Sequence, residues 1–576
     1  MTKSIFHIDV GSTVTEARAL AIEGGRIVQL ERVSCPTPPP ASKDERTLGL
    51  GEVLDVIGSR MSEDKSSYEN EGVMVTLSAG GEPKAVCAGV VKGISGESAK
   101  RAALLAGATV TDLVCVDDGR QDFERISDLR RQDVSVAVMA GGVDEEIMES
   151  GTHQILNIAR VLAKGLPKKG WSDDRIPLVY AGSQEAREEV ARILGDIEII
   201  WADNVRAKLE EEHLASARDA VVGSFSQNVR SDPKFQGLGK LGLPEVFPSG
   251  YAAGLAFEGL YEETSENVLG LSLDGDAVQV FSGIKGVFTR TVTPVAKVNP
   301  NKVAKWLPHP QMAENLGDFI GNLVLRPHVL PTTWNELSVF LAVWKEAIRE
   351  GIAEHKATAI ELRGVHRQRQ VGETFQVEVS GGDTLLKMPT LRRIVVTGVL
   401  SRVLSREAVL SLVMDGAQVA GGVGVYLDTC NALQVAGLLP SGSANILESL
   451  LPLAVLVAPG EDRDRVGAGW ASARLDGTYE QLPVSMGEIT LVPIVNGSAV
   501  EITLDPSRQE DLGEGPGRKT VRDLPPGFSR IYVDGRPRPQ LRTLERISPR
   551  EIIGWYRNLG VFPEQVLSGW ERGRGQ

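Results

Sequence analysis

Apolar and polar positions are most sharply ordered at the start of the chain. Ile5–Val10 and Thr15–Ile22 read as apolar strands, Gly24-Gly25 as a tight turn and Arg26–Val33 as an alternating strand. Residues 1–33 therefore predict a three-stranded meander. Cys35 to Lys43 is Pro-rich and predicts a loop. Strands then alternate with helices. Gly72–Ser78, Lys84–Val91, Val134–Met139, Pro177–Ala181 and Ile197–Trp201 have strand character, and Ser98–Ala106, Glu145–Lys164 and Gln184–Leu194 have helical spacing. That order predicts a parallel sheet covered by helices.

A second meander starts near residue 267. Val268–Leu273 and Ala277–Ser282 flank Asp274-Gly275-Asp276, and Val287–Thr293 follows. Trp334–His355 and Ser405–Asp415 predict helices, Arg393–Thr397 a strand reaching Gly398, and Tyr426–Leu439 a further helix. The three-strand opening thus occurs twice, which predicts a duplicated, two-lobed α/β fold with a cleft between the lobes. From Pro459 the pattern turns antiparallel, with strands at Gly469–Leu475, Gly487–Val495, Ser498–Leu504 and Ser529–Val533 and a loop at Arg508–Lys519. Ser548–Leu559 predicts a terminal helix with Ser548 as N-cap, Pro549 at its first position and Glu551 closing a capping box. The expected domains are 1–250 (first lobe with an α/β insertion), 251–458 (second lobe) and 459–576 (a β-rich C-terminal unit). Ile552, Ile553, Trp555, Tyr556, Leu559, Val561 and Phe562 in that last unit either dock on the protein's own core or present a surface to a partner.

Composition narrows the function classes. At 576 residues the chain exceeds what one core supports, and 42% hydrophobic with 24% charged residues is ordinary for a soluble globular protein. A net charge of −14, from 62 basic and 76 acidic residues, argues against a nucleic-acid partner. The 4 cysteines are scattered without metal or disulfide spacing and the 7 histidines are dispersed, so neither a zinc site nor a disulfide framework is expected. No signal-peptide pattern opens the chain, and the apolar run Ile446–Val457 is too short to span a bilayer and carries Glu448. A reducing cytoplasm is the expected location.

The most legible chemistry is the turn Asp9-Val10-Gly11-Ser12-Thr13-Val14-Thr15. It offers backbone N–H groups and the hydroxyls of Ser12, Thr13 and Thr15 to a phosphate, while Asp9 could hold the water shell of Mg²⁺. Other candidates read as structural: Ala140-Gly141-Gly142 with Asp144 as a strand-to-helix turn, Asp117-Asp118 as a solvated turn, and Gly80-Gly81 as a turn between strands. Ser12 and Thr13 have no recognisable His/Asp partners, so a nucleophilic triad is not expected.

The repeated meander with its Asp9 turn resembles the superfamily of actin, sugar kinases and heat-shock chaperones. More narrowly the chain resembles the glutamate mutase L family, often labelled MutL. The residues that carry this are Asp9–Thr15, Ala99–Ala108, Ala140–Asp144, Val179–Ser183, Asn204-Val205, Phe247–Gly254 and Val396–Leu400, together covering roughly residues 3–440. Val533-Asp534-Gly535-Arg536-Pro537 is the recognisable piece of the C-terminal region. The resemblance implies an actin-like (ribonuclease H-like) ATPase fold. It also implies nucleotide-binding positions at Asp9, Gly11, Ser12, Thr13, Thr15, Thr397 and Gly398, with Asp9 at the metal. Members are thought to serve adenosylcobalamin-dependent mutases as ATP-dependent accessory proteins, by analogy with diol dehydratase reactivases.

This sequence departs from the family where phosphate would bind. In Leu271-Ser272-Leu273-Asp274-Gly275-Asp276-Ala277-Val278, Ser272 stands where an Asp is expected and Asp274 where a Gly is expected, while Ala277 and Val278 replace hydroxyl residues. Asp274-Gly275 predicts a two-residue type I′ hairpin, with little room for an anion and two carboxylates to repel it. Glu16 stands where a Lys is common, and Thr397-Gly398-Val399 where a Gly pair is expected. Losing one of two phosphate segments is severe for phosphoryl transfer. The expectation is a protein with no catalytic residues that binds Mg-ATP weakly or not at all. It would act as an accessory or scaffold protein through contact with another protein, a cobalamin-dependent mutase or a larger complex. The alternatives are an ATP-dependent reactivase of such a mutase and an actin-like adaptor of a cytoskeletal or membrane complex.

Overall fold

The computed structural model describes residues 4–11, 13–37, 73–78, 82–144, 149–169, 173–231, 245–361, 383–460, 470–475, 478–494, 499–508, 510–536 and 547–573. Ser12 and Gly80-Gly81 lie outside them.

The opening meander forms as its pattern dictates. Strands β1 (Ser4–Val10), β2 (Val14–Glu23) and β3 (Arg26–Pro36) are antiparallel neighbours, with Gly24 and Gly25 at φ +57° and +88° in the turn. β4 (Val73–Leu77) adds parallel to β1. The chain then builds a second sheet from β5 (Lys84–Gly89), β6 (Thr109–Cys115), β7 (Val136–Met139), β8 (Leu178–Tyr180) and β9 (Ile199–Trp201). These five are all parallel in the order β6-β5-β7-β8-β9, with connecting helices such as Glu97–Leu105 and Glu149–Gly165. β7 and β8 are buried at every position, as central parallel strands covered on both faces must be. The chain returns through β10 (Val246–Pro248), parallel to β4, completing the order β10-β4-β1-β2-β3.

The second half repeats that arrangement. β11 (Val268–Leu273), β12 (Ala277–Ile284) and β13 (Val287–Pro294) form the antiparallel meander, and β14 (Arg393–Thr397) and β15 (Gly421–Leu427) add in parallel. The order β13-β12-β11-β14-β15 has the same senses as the first sheet. β16 (Leu451–Ala458) then joins β15 antiparallel. The helix Trp334–Thr358, opened by a Thr333–Glu336 capping box, buries Phe340 and Trp344 in this half's core.

The region after Pro459 does not stand apart as a unit. Of its strands β17 (Ala471–Leu475), β18 (Thr478–Gln481), β19 (Ile489–Pro493), β20 (Val500–Leu504), β21 (Thr520–Leu524) and β22 (Arg530–Asp534), two continue the large sheet as β16-β22-β19. The others form a small sheet, β18-β17-β20-β21, laid over β15, where Gly422 and Gly424 leave space for Ile502 and Phe528. The helix Pro549–Leu559 carries the expected Ser548–Glu551 capping box. The five candidate apolar residues of this helix, and Val561 and Phe562 just beyond it, are buried in the same core as Trp344. The alternative of a partner surface at this helix is thus corrected. Left in water, these seven apolar side chains would each forfeit roughly 1.5–3 kcal/mol of burial.

Two readings of local structure change. Tyr426 lies within β15, which ends at Leu427, and the helix of this segment begins only at Ala432. The Asp274-Gly275-Asp276 turn is no two-residue type I′ hairpin: Leu273 pairs with Val278, and of the three turn residues only Gly275 has positive φ, at +92°.

Candidate functional site

The ends of β1, β11 and β14 and the start of the helix Ala432–Leu438 converge on one cleft. Its lining is Asp9, Gly11, Thr13, Val14 and Ser78 from the first half, facing Asp274, Gly398, Val399, Arg402, Asn431 and Gln434 from the second. Gly11 is required by the turn itself, since a Cβ there would stand 2.6 Å from the Val14 carbonyl oxygen.

Asp9 is buried and its carboxylate is occupied by protein donors. Thr76 Oγ1 donates to Oδ1 at 2.8 Å, and Asn431 Nδ2 donates to Oδ2 at 3.0 Å across the cleft. His7 Nε2 lies 3.0 Å from the same Thr76 hydroxyl, and burial together with Arg18 and Arg402 holds the imidazole well below its usual range, hence neutral. Burial raises the Asp9 carboxyl above its ordinary value, against the pull of Arg18 and the Thr76 hydrogen bond. Such a group is a poor magnesium anchor until it is opened to water.

Across the cleft, Asp274 turns back on its own half. Ser272 Oγ donates to Asp274 Oδ2 at 2.6 Å and Gln279 Nε2 donates to the same oxygen at 3.2 Å. Burial raises its carboxyl, and Asp276 adds to the rise. A Cβ on Gly275 would meet Thr13 Cγ2 at 2.6 Å, so the two turns that would clamp a phosphate rest against each other. Among the described residues the cleft leaves about 10 Å³ open to the centre of a water molecule, room for roughly one water.

The candidate residues are brought together unevenly. Asp9, Gly11, Thr13 and Gly398 line the cleft. Thr15 does not: its hydroxyl pairs with Thr37 Oγ1 at 2.9 Å. Thr397 is likewise turned away, donating to Asp428 Oδ2 at 3.0 Å. Ser12 is outside the described residues. Four residues went unnoticed in the sequence: Thr76, Arg402, Asp428 and Asn431. Asp428 is wholly buried and caps the helix Ala432–Leu438, accepting from the N–H groups of Ala432 at 2.9 Å and Leu433 at 3.3 Å. An Asp between an apolar strand and an apolar helical run is an available N-terminus signal.

A family model described as MutL protein matches residues 5–297, half of the chain. The chain belongs to the MutL family. Protein MutL of Clostridium tetanomorphum is 27% identical over 231 residues, 38% of this chain and 44% of that protein. The match therefore spans less than half of that relative's length. Among solved structures, a nucleotide-free acetone carboxylase is similar with a TM-score of 0.33 and 9% identity, covering 76% of this MutL-family chain and 70% of that one. A glycerol dehydratase reactivase is similar with a TM-score of 0.25 and 11% identity, covering 69% and 92%. Likenesses this distant assign no chemistry. Among the described residues, no helix is long and apolar enough to cross a membrane, and no group of three or more His, Cys, Asp or Glu side chains could hold a metal.

Proposed function

We propose that this chain is a non-catalytic accessory protein of the MutL family, with a degenerate nucleotide cleft, that acts by binding another protein. The strand order repeated in β3-β2-β1-β4-β10 and β13-β12-β11-β14-β15 supports reading it as a two-lobed actin-like fold. Family membership supports an accessory role beside a cobalamin-dependent mutase. The observation that carries the degenerate-cleft reading is the contact of the Gly275 turn with Thr13, where a phosphate would need the gap. Phosphoryl transfer depends on positioning and charge stabilisation, and Asp274 and Asp276 supply the wrong sign. A second reading, an ATP-dependent reactivase, is favoured by the survival of Asp9, Gly11 and Thr13 on one wall of the cleft.

Calorimetric titration with Mg-ATP separates them. The expected dissociation constant is no tighter than about 100 μM, or roughly −5.5 kcal/mol. Low-micromolar binding would replace the accessory reading with the reactivase. Co-purification from native cells tests the partner: recovery of a mutase supports the proposal, whereas a filament or membrane complex would favour an adaptor.

A further inference from the structure

β1 and β2 place Asp9 directly opposite Glu16 and His7 directly opposite Arg18. The first half by itself thus sets two carboxylates side by side on one face of a sheet, an arrangement that destabilises when both are charged. Both are almost completely buried. Within the same half Glu16 pairs with Arg18 and Arg32. The remaining cation comes from the other half: Arg402 Nη2 donates to Glu16 Oε2 at 3.1 Å, and Arg402 Nη1 also donates to Asn431 Oδ1. Asn431 in turn reaches Asp9 at 3.0 Å. One guanidinium therefore ties both cross-strand acids to the second half, directly and through one amide. Arg402 also lines the cleft, where the carboxylate of Glu16 holds it.

We propose that Arg402 and Glu16 form a clasp that keeps the two halves shut over the cleft. The physical reason is asymmetric. Closed, three guanidinium groups compensate the buried acids; opened, Asp9 and Glu16 lose Arg402 and Asn431 together, and Arg402 loses its carboxylate. Removing one partner of a buried ion pair strands the other, so each half of the clasp depends on the other. The inference rests on the closed cleft described above but not on whether nucleotide binds.

Hydrogen exchange on the full chain tests it, comparing wild type with Arg402→Ala, Glu16→Gln and the double variant. The amides to follow are those at the cleft, Gly11 bonded to Val14, Ser78 to Val10 and Asp274 to Ala277, with β7 as an internal reference. Each single variant is expected to speed exchange at the cleft by about tenfold or more while leaving β7 unchanged. Because the two residues act through one another, the double variant is expected to exchange no faster than Arg402→Ala. Cleft amides at wild-type rates, or additive effects in the double variant, would overturn the clasp. If Arg402→Ala does not fold, Arg402→Lys serves. It keeps the charge but loses the planar fork that spans Glu16 and Asn431, so intermediate exchange is expected and wild-type exchange overturns the proposal. Tight Mg-ATP binding with clasp-dependent exchange would sink the degenerate-cleft reading alone; weak binding with unaltered exchange would sink the clasp alone.

Discussion

Glu82 shows how a single side chain at the junction of the halves sets a pH dependence. It accepts from Gln279 Nε2 at 3.1 Å, faces Arg290 at 3.4 Å and lies in the field of Asp276 and Asp274, with Thr109 Oγ1 at 3.4 Å. Burial pushes its carboxyl from about 4.5 up to about 7, against the pull of Arg290. A raised carboxyl favours the folded state while protonated. That contribution is complete below about 4.5 and is lost as pH rises through about 7. Glu82→Gln cannot ionise, so from pH 5 to pH 8 it should gain roughly 1–3 kcal/mol on wild type. Urea unfolding at the two pH values measures this. A variant that instead falls behind wild type with rising pH would mean that the Arg290 pair outweighs burial. Arg290 itself is wholly buried, donating to the carbonyls of Leu104 and Ala108 at 2.9 Å, so it is a strut between halves rather than a ligand group.

At the level of elements, strands with clean patterns were legible and those defined by their neighbours were not. β11 lies on the apolar run Val268–Leu273 and β14 on Arg393–Thr397, both short runs closed by a turn or a glycine. β15 and β16 were missed because Gly421–Leu427 and Leu451–Ala458 are continuous apolar runs, which periodicity cannot separate from buried helix. The same limit applies to the site. Asp9, Gly11 and Thr13 are adjacent in the chain and could be read as a turn. Arg402 and Asn431 reach Glu16 and Asp9 only through long-range folding, and nothing local marks them. The Val533–Pro537 segment is similar: nothing local marks that its Arg536 is buried and bridges Asp534 to Asp415, which also takes Lys345 at 2.8 Å. Lys345 donates to Tyr556 Oη at 3.0 Å as well, so one network links the helix Trp334–Thr358, the end of β22 and the terminal helix. Asp415→Ala removes the shared carboxylate and strands Lys345, and should cost about 3–5 kcal/mol in urea unfolding. A loss under about 1 kcal/mol, the scale of an exposed pair, would show that the network is dispensable.

Over the whole molecule, the decisive feature is that the chain's last hundred-odd residues complete a sheet and a core begun by earlier ones. β22 pairs with β16 in parallel through Val455–Ile531, Leu456–Tyr532 and Val457–Val533. A protein ending at Ala458 would therefore leave β16 as a bare edge, a template for pairing between chains. It would also uncover the surfaces of Trp344 and Phe340's core now covered by Trp555, Tyr556, Phe562 and Trp570, and the face of β15 now covered by Ile502, Leu504 and Phe528. At roughly 1.5–3 kcal/mol per large apolar side chain, the burial lost with these seven, roughly 10–20 kcal/mol, is as large as the roughly 5–15 kcal/mol by which a typical protein is stable. Truncation after Ala458 should accordingly give insoluble protein, or a soluble state without a cooperative melt. Size exclusion and a thermal melt followed by circular dichroism decide between these and the contrary result. A monodisperse truncation that melts cooperatively would mean that residues 4–458 hold their own fold, and that the C-terminal strands and helices are free to serve a partner after all.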